Sequence, residues 1–262
     1  MTNHRTILVT IASLGLCMAT VLPAQAVSSA SVADIAAEQV QAAATITADA
    51  QAALAGMRKK IADSAANDPS AAADLANFDA LTAAQRSELA GYLLGDASLV
   101  TPPATASRSA VAGTNVAIKG DARWISSTGT SKAITPRLGQ RSAMTAMSAA
   151  TYSVHSYADE VLNFAGITIS KTRVWADCTT GSDVVLGISD YGCQMVQNYD
   201  LFSSITTSKQ SGILSGGKAT FKCYVVIERG APTPLGQITW RTASAYQYMT
   251  VTGTGISAHG FM

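Results

Sequence analysis

The sequence predicts a segregated α+β chain, with an alanine-rich helical segment first and an all-β antiparallel sandwich or barrel after it. Three observations carry this. Alanine supplies about a third of the residues between Ser31 and Gly95, a composition that favours helix. Beyond residue 113, Val, Ile, Thr and Tyr alternate with polar residues at strand period. Short turn clusters separate these runs and no helical stretch intervenes, as antiparallel sheets require.

In chain order, the first element is an export signal. Arg5 supplies the positive charge, an apolar run extends from Ile7 to Leu22, Pro23 breaks it, and Ala24-Gln25-Ala26 places small residues where a signal peptidase cuts. Residues 1–26 are therefore expected to be a signal peptide cleaved after Ala26, and the protein to be secreted. The run is short for a retained span, and no later segment is apolar enough to cross a bilayer. Leu16 before Cys17 spoils a lipoprotein site.

Residues 27–100 form the helical segment. Ser31 with Asp34 resembles a capping box, and Ile35, Ala42, Ile46, Ala53, Met57 and Ile61 recur at helical spacing until Asn67-Asp68-Pro69 ends the helix. A second helix begins with Leu81 as staple, Thr82 as N-cap and Gln85 at the third position; Leu89, Leu93 and Leu94 line one face, and Gly95 stops it. Alanine buries little area, so such helices need a surface to lie against. Residues 101–112, with Thr101-Pro102-Pro103 at their head, read as a linker.

Residues 113–262 are the all-β domain. On the clearest strand, Lys218 to Arg229, Ala219, Phe221, Cys223, Val225 and Ile227 point one way, and Lys218, Thr220, Lys222 and Glu228 the other. Gly236 to Val251 is a second long strand, and Ile167–Cys178 with Val184–Ile188 a hairpin across Thr180-Gly181-Ser182. Charge divides at the same boundary: residues 27–107 carry a net −5 and residues 108–262 a net +5. The near-zero total argues against nucleic acid or an anionic membrane as partner. The split reads first as solvated faces on two unrelated segments; the sharper alternative is that the acidic helices dock on the basic β domain as a removable pro-segment.

Chemistry-bearing motifs are sparse. His155 stands four residues before Asp159, on one strand face but about 13 Å away by strand rise. His259 lies near the chain end, where fraying is expected. Ser215-Gly216-Gly217-Lys218 matches the spacing of serine–lysine hydrolases, but paired glycines before an alternating strand are better read as a hairpin turn. Asp177, Asp183 and Asp190 sit around expected turns. Lys119, Arg123, Lys132, Arg137 and Arg141 make a locally basic stretch, read as a solvated surface. No cofactor motif or zinc spacing is present. Trp124, Trp175 and Trp240 are expected in the core; Tyr246 and Tyr248 share a strand face with Trp240, and that face is either core or an aromatic stripe that makes these tyrosines candidate ligand contacts. After signal cleavage three cysteines remain, and Cys193–Cys223 is the favoured disulfide with Cys178 left free.

The blocks Gly166-Ile167-Thr168-Ile169-Ser170-Lys171, Val174-Trp175, Lys218-Ala219-Thr220-Phe221 and Gly236-Gln237-Ile238-Thr239-Trp240 resemble uncharacterised exported β-domain proteins of actinobacteria over about the last hundred residues. The resemblance implies export and an all-β domain and carries over no active residue.

These features lead to a secreted, non-enzymatic β-sandwich protein: an extracellular or cell-wall-associated binding module for an extracellular ligand or cell-wall polymer. The alternatives are a secreted hydrolase using His155 with Asp159 and a serine, and an antibacterial effector or inhibitor with a helical pro-segment.

Overall fold

The computed structural model describes residues 30–95, 115–134, 151–233 and 236–262, with side chains from residue 48 onward except 231–238 and 240. The signal peptide, the whole of the linker 101–112, Arg137 and Arg141 of the basic stretch, and the side chains of the Ser31/Asp34 cap lie outside what is described. Thr45–Met262 is one compact unit.

Among the described residues three helices come first: α1 (Ala30–Ala65), α2 (Pro69–Asp79) and α3 (Ala83–Leu94). α2 departs from expectation. Asp68-Pro69 does end α1, but it also starts a helix: the Asp68 carboxylate accepts the Ser70 amide at 2.8 Å, and proline occupies the first turn, where its missing N–H costs nothing. The α3 cap is as expected. Thr82 and Gln85 form a reciprocal capping box, and Gly95 follows the last turn with φ of 155°.

Among the described residues nine strands follow: β1 (Asn115–Lys119), β2 (Ala122–Ile134), β3 (Tyr152–Phe164), β4 (Ile167–Thr180), β5 (Val185–Asn198), β6 (Ser203–Ser215), β7 (Lys218–Thr233), β8 (Gly236–Thr252) and β9 (Gly255–Phe261). Within each sheet, strands consecutive in sequence pair antiparallel, giving a five-stranded sheet, β1 to β5, and a four-stranded sheet, β6 to β9. The fold is thus helices first, then a two-sheet antiparallel sandwich. On β7 the inward set is Ala219, Phe221, Cys223, Val225 and Ile227, all buried. Gly216 and Gly217 have φ of 57° and 73°, so the serine–lysine spacing is a tight hairpin turn.

A disulfide joins the sheets, Cys193 of β5 to Cys223 of β7. Cys178 is free and 1% exposed in the same apolar layer, and burial pushes its thiol up to about 11.

The sandwich interior has three layers. At one end Met57, Ile61, Phe78, Leu89 and Leu93 from the helices share a core with Trp124, Phe164, Ile167, Ile205 and Ile227. At the other, Val174, Cys178, Phe221, Cys223 and Met249 make a purely β core. Between them, Ser126, Glu160, Thr172, Gln247 and His259 form a buried polar belt. Ser126 Oγ donates to Glu160 Oε2 at 2.6 Å, and His259 Nδ1 lies 3.3 Å from Glu160 Oε1. His259 is therefore fully buried rather than frayed, because β9 pairs with β8 to the chain end and turns it inward.

Hydrogen bonds tie the helices to the sandwich. Asp74 accepts the Thr168 amide and Gln197 Nε2, Asn77 donates to Gly166 O, and Tyr92 Oη donates to Lys119 O. Arg229 donates to Tyr92 O at 2.7 Å and Leu93 O at 3.1 Å, holding the C-terminal carbonyls of α3, while Asp200 balances its charge at 2.9 Å. The opposite charges of the two segments are secondary here: the seam is built on the shared apolar core.

Candidate functional site

The outer face of the five-stranded sheet carries the chemistry. On β3 and β4 the even-numbered residues from Val154 to Leu162 and from Val174 to Thr180 face the interior, so odd-numbered residues face out. Register then assembles three rows across β2, β3, β4 and β5. The central row is Gly129, Tyr157, Trp175 and Gly192. On one side of it lie Ser131, His155, Asp177 and Asp190; on the other, Ser127, Asp159, Arg173 and Gln194.

The two glycines explain how the rings lie. A methyl group built on Gly129 would collide with the Tyr157 ring, and one built on Gly192 with the indole of Trp175. Each ring therefore leans outward over the bare backbone of the next strand, filling the space that a side chain would take. Glycine weakens a strand, and its use here marks a close approach to backbone. Both rings remain partly exposed, and together they pave the centre of the face.

The flanking charges are paired with one another. Arg173 forms a bidentate contact with Asp159, at 2.6 and 2.8 Å, and its guanidinium carbon lies 4.0 Å from the Tyr157 ring centroid. That hydrogen-bonded carboxylate raises the Arg173 pKa against the opposing effect of burial. Lys171 approaches the same carboxylate at 3.1 Å. On the other side, His155 Nδ1 is 2.8 Å from Asp177 Oδ1, and the imidazole lies nearly parallel to Trp175 at 6.1 Å. Lys209 of β6 reaches over the edge, 6.0 Å from the Trp175 centroid and 3.3 Å from Asp190. The Tyr191 amide, then Lys209, holds Asp190 below the usual carboxylate range.

No family model, curated protein sequence or solved structure matches the chain. The strand-pattern resemblance to exported actinobacterial domains gains no support from these comparisons.

The structure redistributes the residues singled out in the sequence. His155 and Asp159 lie on the same face, but His155 meets Asp177 and Asp159 meets Arg173 and Lys171. Asp177 is within β4 rather than at a turn. Trp124 is core, 3% exposed, whereas Trp175 lies on the outer face, contrary to expectation; the Trp240 side chain is outside the described set. Tyr246 and Tyr248 point outward from the four-stranded sheet. The cavity between α3 and the sandwich, lined by Trp124, Ser170, Asp200 and Arg229, measures about 20 Å³, room for one water molecule. Among the described residues no cluster of histidine, cysteine and carboxylates suits a metal ion.

Proposed function

We propose that this protein is an exported binding module that holds a saccharide on the outer face of its five-stranded sheet. The observation that carries this is the in-register row Gly129–Tyr157–Trp175–Gly192, which sets two partly exposed aromatic rings against the bare glycine backbone of the flanking strands. A flat ring presents an apolar surface to the C–H face of a pyranose, while its polar neighbours meet the hydroxyls. Asp177, Asp190, Gln194, Arg173 and Lys209 supply acceptors and donors around the rings. Their charges are already paired on the protein, which suits a neutral ligand better than a charged one. A β-1,4-linked glycan fits this surface because its sugar rings follow one another as a flat ribbon.

Export is supported by the signal peptide that the sequence predicts to end at Ala26 and by the Cys193–Cys223 cross-link, a bond that persists in oxidising compartments. Among the described residues no helix is long and apolar enough to cross a membrane. Isothermal titration of the secreted chain with chitohexaose and cellohexaose tests the proposal. Uptake of either, abolished by Trp175→Ala, supports it; the absence of binding to both sinks it.

A further inference from the structure

The four-stranded sheet carries a second aromatic surface, on the opposite side of the molecule. Its inward residues meet those of the other sheet in the shared core, so the two outer faces stand back to back. Tyr224 of β7 and Tyr246 of β8 are direct cross-strand partners on this outer face, with ring centroids 5.2 Å apart and planes inclined by 46°. Tyr246 is 42% exposed. Tyr248 follows on the same face, opposite Lys222.

The surroundings of these rings are hydroxyl-rich and close to neutral. The outward residues of β8 from Thr242 to Thr252 read Thr, Ser, Tyr, Tyr, Thr and Thr. The Thr220 and Thr250 hydroxyls lie 3.0 Å apart across the strands. Between Lys218 and Glu228 the outward residues of β7 carry two positive charges, Lys218 and Lys222, and one negative, Glu228. A net of one charge gives such a surface little field to attract a charged polymer. It offers what the first face offers: rings for stacking and short hydroxyls for a neutral polyhydroxylated chain.

Resting on the saccharide proposal for the first face, we infer that the protein is bivalent: Tyr224 and Tyr246 form a second site for the same β-1,4-linked glycan, and one molecule bridges two chains. A single stacking surface binds weakly. Two surfaces engaging one glycan network multiply that affinity by effective concentration, without any new contact.

Titration of the secreted protein with chitohexaose, and in parallel with cellohexaose, reads the stoichiometry directly. Two equivalents per chain are expected, falling to one for Trp175→Ala, one for Tyr246→Ala and none for the double variant. Tyr246→Thr, which keeps strand propensity, replaces the alanine variant if the latter loses its cooperative melt. A single equivalent that Tyr246→Ala leaves unchanged overturns bivalency and leaves the first face intact. No uptake by the unmodified protein removes the first face, and bivalency with it.

Discussion

Tyr157 and Trp175 are cross-strand partners on β3 and β4, and each ring lies over a glycine on the next strand outward. The stacking surface therefore depends on two residues without side chains as much as on the two rings. Gly192→Ala is expected to lift the Trp175 indole off the sheet. Saccharide affinity should fall at least about tenfold, equivalent to 1.4 kcal/mol. The indole N–H resonance of Trp175 should move while those of buried Trp124 and of Trp240 stay. An unmoved Trp175 signal with unchanged affinity would show that the glycine does not seat the ring.

Arg229 should be the most sensitive single position at the helix seam. Its side chain is 5% exposed and bonds two α3 carbonyls and Asp200. Arg229→Met fills the space but strands a buried carboxylate, at an expected cost of about 3–5 kcal/mol in urea unfolding. Adding Asp200→Asn should recover part of that loss. Amide exchange should quicken first in the last turn of α3.

Asp74 gives the helix seam a pH dependence. Burial raises its pKa, partly offset by the bonds from Thr168 and Gln197. The native state thus holds this proton more tightly than the unfolded chain does. Its contribution to stability is largest below the ordinary aspartate range and is lost as pH rises through the raised native value. Asp74→Asn keeps an acceptor for Thr168 and does not titrate. It should be more stable than the unmodified protein at pH 7, with the difference shrinking toward pH 3. Asp74→Ala should instead lose about 1–3 kcal/mol by stranding the buried Thr168 amide. Thermal melts across that pH range check both.

The Cys193–Cys223 bond closes 30 residues of chain, and its loss should cost about 3–4 kcal/mol in the chain-entropy model. Cys193→Ser/Cys223→Ser should lower the urea midpoint accordingly. Cys178 should ignore a thiol reagent in the native protein, since it is buried with its pKa pushed up to about 11, and titrate as one thiol on unfolding.

The sequence makes individual strands plain and their mutual register obscure. β7 is readable because its five inward residues alternate without a fault. The Thr82 cap and the Gly216-Gly217 turn are local chemistry and equally readable. α2 is missed because Asp68-Pro69 can stop one helix and start the next, and only the path of the chain decides. His259 is misjudged from its place near the end, since its burial depends on β9 pairing with β8. The aromatic row joins residues 129, 157, 175 and 192 through three strand pairings, and β4 and β5 shift register at irregular points. No spacing along the chain encodes that alignment. The His155–Asp177 contact is hidden for the same reason, being a neighbour across strands and not along one.

The central claim is that Trp175 and Tyr157 bind a saccharide from the outer face of the five-stranded sheet. The most direct test is two-dimensional ¹H–¹⁵N spectroscopy of the secreted chain titrated with chitohexaose and cellohexaose, with the Trp175 indole resonance followed. At least one hexasaccharide should shift that resonance saturably, leave buried Trp124 unmoved, and lose its effect on the remaining amides of this face in Trp175→Ala. A Trp175 resonance that stays fixed at saturating concentrations of both would contradict the account.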